Sequence, residues 1–372
     1  MIGRQDIFDR AAEWQLRPDV VEKDYVLGWL LAGLATVPEI REGWVFKGGT
    51  CIKKCYFETY RFSEDLDFSL LPGASYGSEE LRDLLLRATE ASAKLSGIEF
   101  PPGLVEVRPR HNLQGLETFE LRVSYRGPIG QPGAQPRVRF DITRQEPILD
   151  APDEHRPFHP YPDSLPEDAA VLTYSLDELL AEKCRALYER TRPRDLYDVV
   201  FLLENANEGF DLARVRDLFA GKCESKRLSP PSAAVLIAKV RREPELASEW
   251  ENMLGHQLPA LPDLESLLAR LPLLLEWVNV AAEIAVAAEE LPAVSPAAGE
   301  SIAPVGIKYW NVGVPIEALR FAGANRLLVE FSYHGKRRRV EPYSLRRAGT
   351  GNLLFLGHEV GSHIKAFKVG EM

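Results

Sequence analysis

Cysteine is scarce here: the chain of 372 residues holds four. Cys51 and Cys55 lie one helical turn apart, and Cys184 and Cys223 stand alone in the sequence. That pattern is no disulfide framework, and it reads as free thiols in a reducing compartment. No Cys/His spacing matches a zinc site. Long apolar runs are missing as well. None approaches the ~18 residues of a membrane span, and the apolar stretch 271–275 is closed off by Arg270 and Glu276. The opening Met1-Ile2-Gly3-Arg4-Gln5-Asp6 has no hydrophobic signal core. The expectation is a cytoplasmic protein with no membrane partner. What remains is ordinary globular composition, 45% hydrophobic, in a length that suggests roughly two or three domains.

Charge is unevenly spread. The net charge is −10, yet residues 308–372 carry eleven Lys/Arg against five Asp/Glu. That tail has a surplus of six positive charges on a body of −16. A basic tail on an acidic body points to an anionic partner for the tail.

The densest chemical signal is Phe46-Lys47-Gly48-Gly49-Thr50, followed by Arg61-Phe62-Ser63-Glu64-Asp65-Leu66-Asp67-Phe68. A Gly-Gly backbone approaches a phosphate closely because no Cβ intervenes. In a strand, Asp65 and Asp67 project from one face while Leu66 and Phe68 project from the other. Two carboxylates held that close call for a cation, and Mg²⁺ prefers such hard oxygen ligands. Ser63 shares the face of Asp65 and is a candidate for a phosphate or ribose hydrogen bond. A phosphate cradle beside metal carboxylates is the equipment of nucleotidyl or phosphoryl transfer.

Around this core stand three further motifs: Val20-Val21-Glu22-Lys23-Asp24-Tyr25-Val26-Leu27 upstream, then Glu178-Leu179-Leu180-Ala181-Glu182-Lys183 and Arg192-Pro193-Arg194-Asp195-Leu196-Tyr197-Asp198 downstream. In this order, over residues 5–205, the motifs resemble the AbiEii/AbiGii nucleotidyltransferase toxins of the polymerase-β-like superfamily. The resemblance implies a mixed α/β nucleotidyltransferase core using an NTP and Mg²⁺. It implies an RNA acceptor, with the tRNA 3′ end as one form, and a role as the toxin of a toxin–antitoxin or phage-defence system, with a cognate antitoxin as partner. Gly48, Gly49, Thr50 and Ser63 would hold the nucleotide. Asp65, Asp67 and, as the superfamily's third carboxylate, Asp141 would bind metal. Lys183 would sit against the triphosphate, and Asp195 would take a catalytic or positioning role. Lys23 and Asp24 are expected to form structural ion pairs. The alternatives are transfer to a protein hydroxyl, which the same motifs would serve, and a regulator that binds nucleotide without turnover, against which the intact carboxylate set argues.

The fold class expected is α/β: a nucleotidyltransferase domain over 1–205, a helical extension over 206–290, a linker over 291–307 and a small SH3-like β-barrel over 308–372. Apolar spacing predicts helix over 5–35, 78–97, 232–240 and 263–289. Ser175 with Glu178 reads as a capping box opening a helix to about Glu189. Pro193 reads as a break, with Asp195 as the cap of the next helix. Residues 151–168 read as loop. Alternation predicts strands at 44–46, 66–71, 105–108, 118–125 and 137–143, the last placing Asp141 on one face with Arg139 and Arg137. In the tail, Tyr333 before a turn, Arg339 before Glu341-Pro342-Tyr343, and the Leu354-Phe355-Leu356 strand resemble a WYL-type domain, a ligand sensor or nucleic-acid contact. The run Lys336, Arg337, Arg338, Arg339, near Tyr333 and Tyr343, is the candidate nucleic-acid contact.

Overall fold

The computed structural model describes residues 1–111, 117–130, 133, 135–144, 146–205, 209–279, 306–308, 319, 322–323, 327–347, 353–361 and 363–369. The chain separates into two compact units. One comprises Met1–Arg185, Asp217–Ser229 and His256–Leu258; the other comprises Ala186–Arg216, Pro230–Gly255 and Pro259–Met372.

The first unit opens with α1 (Arg4–Trp14) and α2 (Pro18–Ala35). The single helix expected over 5–35 is thus two, because Gln15 turns left-handed at φ 55° and Pro18 starts a new helix as its first residue. Helix α2 is buried almost all round, so its acids need partners. Asp24 pairs with Lys54 at 2.6 Å and accepts from Tyr161 at 2.8 Å, while Lys23 pairs with Glu64 at 2.8 Å. Both residues of the expected structural pair therefore make ion pairs, each with another partner.

After α3 (Pro38–Gly43), strand β1 (Trp44–Lys47) runs into α4 (Gly48–Cys51), which widens to a turn of i→i+5 bonding over Ile52–Tyr56. Strand β2 (Asp65–Leu70), α5 (Ser78–Ser96), β3 (Val105–His111), β4 (Glu117–Ser124), β5 (Arg137–Thr143), β6 (Asp153–His155), β7 (Val171–Thr173) and α6 (Leu176–Arg190) follow. The seven strands form one mixed sheet in the order β3-β4-β5-β2-β1-β7-β6. Strands β1/β7 and β2/β5 pair in parallel; β1/β2, β3/β4, β4/β5 and β6/β7 pair antiparallel. Residues 153–155, expected as loop, pair with β7 as an edge strand. One sheet face is apolar: Phe68, Leu121, Val138, Phe140 and Ile142 are buried, and Phe68 packs on Phe46 and Trp44 with ring centres 5.1 and 5.4 Å apart. Each such side chain contributes about 1.5–3 kcal/mol through burial, and this is what fixes which face of β2 and β5 is left for the carboxylates.

The Ser175 hydroxyl accepts from the Glu178 N–H at 3.2 Å, as a cap should. The Glu178 carboxylate does not return to the cap. It accepts instead from the N–H groups of Leu149 and Asp150 at 2.8 and 3.1 Å and pairs with the fully buried Lys222 at 2.6 Å. Cys184 and Cys223, far apart in sequence, influence each other in the same interior, where burial pushes the Cys184 thiol far up. All four cysteines are free and buried.

Helix α7 (Pro193–Asn205) starts at Pro193, which lacks the N–H that a first helical residue leaves unbonded. Pro193 therefore opens this helix, and Asp195 lies inside its first turn instead of capping it. Helices α8 (Leu212–Ser225), α9 (Ala233–Arg242), α10 (Pro244–Leu254) and α11 (Leu264–Leu274) follow. Within the second unit, α7 packs on α10 and α11, and Arg270 binds both oxygens of Glu204 at 2.7 Å. The helix expected over 263–289 closes at Leu274, two residues past Pro272, and the rest of that expectation lies beyond the short turn Glu276–Asn279, outside the described residues.

The tail folds as β8 (Gly306–Lys308), β9 (Leu328–Tyr333), β10 (Lys336–Arg347), β11 (Leu353–Glu359) and β12 (Ile364–Lys368). They form a sheet ordered β12-β11-β10-β9-β8, antiparallel except for β8/β9. Leu319, Ala322, Val329, Phe331, Val340, Phe355 and Phe367 make its core. Among the described residues no ladder joins β12 to β8. Most of the expected linker lies outside the described residues.

Candidate active site

The polar face of the first unit's sheet gathers charge in register. Lys47 on β1 stands opposite Asp67 on β2, Asp67 opposite Asp141 on β5, and Asp141 opposite Glu120 on β4. One step along, Asp65 stands opposite Arg139. Directly paired residues share a face and their Cβ atoms lie about 4.5–5.5 Å apart, so Asp65, Asp67 and Asp141 sit together although 74 residues of sequence separate Asp67 from Asp141.

The Gly-Gly turn abuts this cluster. Gly48 is left-handed at φ +80°, and a Cβ there would lie 2.3 Å from Asp67 Oδ2. A Cβ on Gly49 would meet Arg61 Nη2 at 2.8 Å and Ser63 Oγ at 3.1 Å. At Gly48 the left-handed backbone and the nearness of Asp67 together require glycine. Thr50 is buried, and its hydroxyl donates to the Asp65 carbonyl at 2.5 Å, tying the turn to the start of β2.

Electrostatics separates the three carboxylates. Burial and then Asp141, with Asp65 adding to them, raise Asp67 to about 6, against the pull of Lys47 and Lys183. Burial also raises Asp141, opposed by Arg139. The Arg139 guanidinium reaches Asp65 Oδ2 at 2.7 Å and Asp141 Oδ2 at 3.4 Å. It bridges the two acids as a built-in cation. Behind Asp67, burial draws Lys47 down to about 8, against Glu182 and Asp67, which favour its charged form. Lys47 pairs with Glu146, which Lys226 also approaches at 3.6 Å. Glu182, despite its burial, is held down at about 2 by Arg185 and then by Lys222 and Lys47.

Among the described residues no group of three or more His, Cys, Asp or Glu side chains is placed to hold a metal ion. The donor chemistry still suits a hard divalent ion: three carboxylates in adjacent register positions, one raised in pKa by burial and then by its like-charged neighbours, and a guanidinium already serving as counter-cation to two of them.

The family comparison matches residues 29–272 to the nucleotidyl transferase AbiEii toxin of type IV toxin–antitoxin systems. The match takes in β1, the Gly-Gly turn, every strand of the carboxylate face and α6. This chain belongs to the AbiEii toxin family. It is accordingly a nucleotidyl transferase enzyme of a toxin–antitoxin class. No curated protein matches it. No helix among the described residues is long and apolar enough to cross a membrane.

In this AbiEii-family chain, Lys183 on α6 is buried and close enough to Asp67 to favour its ionised form. Asp195 is buried in the second unit, both of its oxygens accepting from Arg190 at 2.8 and 2.9 Å. The tail's four cations are divided by the strand they lie on. Lys336 and Arg338 project to one side of β10, Arg337 and Arg339 to the other. Arg338 pairs with Glu359 at 2.7 Å, and Arg337 and Arg339 approach Glu330 at 3.9 and 3.7 Å. Strand alternation thus puts two of the four cations on each side of β10. Lys47 and Glu182 lie inside sequence motifs that assign them no role, and Glu120, Glu146 and Lys222 lie in none. The one legible signal among them was Lys47 itself, a charged residue closing the apolar strand Trp44-Val45-Phe46.

Proposed function

We propose that the chain transfers a nucleotidyl group from an NTP to the 3′ hydroxyl of an RNA, with tRNA as one such acceptor, acting in the cytoplasm as a toxin restrained by a cognate antitoxin. The observation that carries this reading is Asp67 standing directly opposite Asp141, with Asp65 beside them and the Gly48 turn against Asp67. Asp65, Asp67 and Asp141 would hold Mg²⁺. When bound, the ion would neutralise the triphosphate and lower the pKa of the attacking hydroxyl.

The chain's own groups do the rest. The Gly48-Gly49 turn, packed against Asp67, Arg61 and Ser63, would offer its backbone to phosphate oxygens beside the carboxylates. Ser63, within reach of Gly49, offers them a hydroxyl. Lys183 adds a compact positive charge where pyrophosphate leaves. The acceptor hydroxyl gives up its proton to solvent as its oxygen bonds to the α-phosphorus, the bond from that phosphorus to the bridging oxygen breaks, and pyrophosphate departs with the electron pair. Asp195, fixed by Arg190, enters this reading as a positioning residue.

The test is incubation with each of the four labelled NTPs, Mg²⁺ and total tRNA. Label should enter RNA, require the metal, and fall by orders of magnitude in Asp65→Ala and in Asp67→Ala while both variants stay folded. Near-normal transfer in either variant would falsify the assignment. Label entering protein instead of RNA would keep the site but overturn the acceptor.

A further inference from the structure

The carboxylates do not end the polar face. It continues across β5 and β4 to the edge strand β3, and register places Arg137 and Arg139 (β5), Arg122 (β4), and Arg108 and Arg110 (β3) on it. These five arginines share the face with three acids outside β2: Glu106, Glu120 and Asp141. Arg108, Arg110 and Arg139 have side chains 53%, 56% and 47% exposed, although each lies within 3 Å of a carboxylate. The whole chain carries a net charge of −10, so the surplus of arginine over acid on β3, β4 and β5 is not a consequence of composition.

From this we infer that the open face of β3, β4 and β5 is the track for the phosphate backbone of the nucleic-acid acceptor, an inference that rests on the RNA-acceptor reading above. Neighbouring strands lie about 4.8 Å apart and alternate residues about 6.7 Å apart along a strand, so the guanidinium groups form a regular two-dimensional array. A repeating polyanion meets such an array with many phosphates at once, and the arginine fork suits phosphate oxygens in pairs. The other residues of this face, Thr118, Ser124 and Thr143, add hydroxyl groups. Among its described positions there is no aromatic side chain, so bases find no stacking platform. Contacts confined to phosphate position the strand without reading its sequence. The face thus supplies general affinity for single-stranded RNA and directs its end towards Asp65, Asp67 and Asp141. The tail's cations, split between two sides of β10, are the weaker track.

The experiment measures binding of a fluorescein-labelled single-stranded oligouridylate by anisotropy across a KCl series, using the full chain. Wild type is compared with Arg108→Gln/Arg110→Gln/Arg137→Gln and with a variant neutral at Lys336 to Arg339. Arg122 is left in place because it, like Arg110, pairs with the buried Glu120 at 2.6 Å. Each lost phosphate contact should reduce the slope of log affinity against log salt by ~0.7. The triple variant should therefore lose a slope of about 2, with an unchanged melting temperature, and an oligoadenylate should behave alike. An unchanged slope in the triple variant, or a flattened slope only in the tail variant, overturns the track while leaving the RNA-acceptor reading intact. Absence of RNA binding by wild type overturns both.

Discussion

Replacing Asp67 by Asn should stabilise this protein at neutral pH while abolishing transfer. Asp67 is raised from 3.8 to about 6 by burial, Asp141 and Asp65, acting against Lys47 and Lys183. The folded state therefore holds a proton on this group more tightly than the unfolded chain does. Its ionisation costs stability as pH rises from about 4 through about 6, and the cost is complete above that window. A displacement of about two pH units corresponds to about 3 kcal/mol at 1.4 kcal/mol per unit, and to about 1–3 kcal/mol after allowance for partial solvent exposure. Asparagine keeps the shape and removes the charge, so Asp67→Asn should gain that amount near pH 8, several degrees in melting temperature. Near pH 4 the two proteins should melt together. His159 has the opposite sign. Burial and then Lys54 hold it down to about 4, opposed by Asp163, so its contribution is lost as pH falls from 6.5 towards 4. Because both proteins share His159, the difference between variant and wild type isolates Asp67, whereas the wild-type profile alone would not. An Asn variant less stable than wild type near pH 8, or a gain of equal size near pH 4, would show that Asp67 is a satisfied structural carboxylate and not a charge under repulsion.

Three other perturbations bear on the same site. Gly48→Ala forces a side chain onto a left-handed residue and to within 2.3 Å of Asp67 Oδ2; urea unfolding should register a loss of about 1–3 kcal/mol, with transfer lost as well. Lys222→Ala leaves Glu178 buried without its ion-pair partner and frees the Pro147 carbonyl; a loss of about 3–5 kcal/mol is expected, and a change under 1 kcal/mol would mean that water reaches Glu178. In Arg139→Gln, Asp65 and Asp141 lose the guanidinium that bridges them, so Mn²⁺ binding followed by electron spin resonance should tighten; weaker binding would mark Arg139 as a support for the carboxylates and not a competitor of the ion.

The sequence by itself determined the local devices. Gly48-Gly49 had to turn, Asp65 and Asp67 had to share one face of a strand, and Ser175 had to cap, because each follows from backbone geometry within a few residues. It also carried the order of the family motifs. Tertiary structure alone decided what stands beside them. Register between β2 and β5 brings Asp141 opposite Asp67 and puts Arg139 between Asp65 and Asp141. The acids and lysines of β1, α6 and α8 close into one buried network only when distant segments pack, since a buried charge finds its partner wherever the fold supplies one. Strand alternation likewise split the run Lys336 to Arg339 between two sides of a sheet, while cross-strand pairing assembled five arginines, scattered between 108 and 139, onto one. Adjacency in sequence sets which way a side chain points; pairing between strands sets which charges meet.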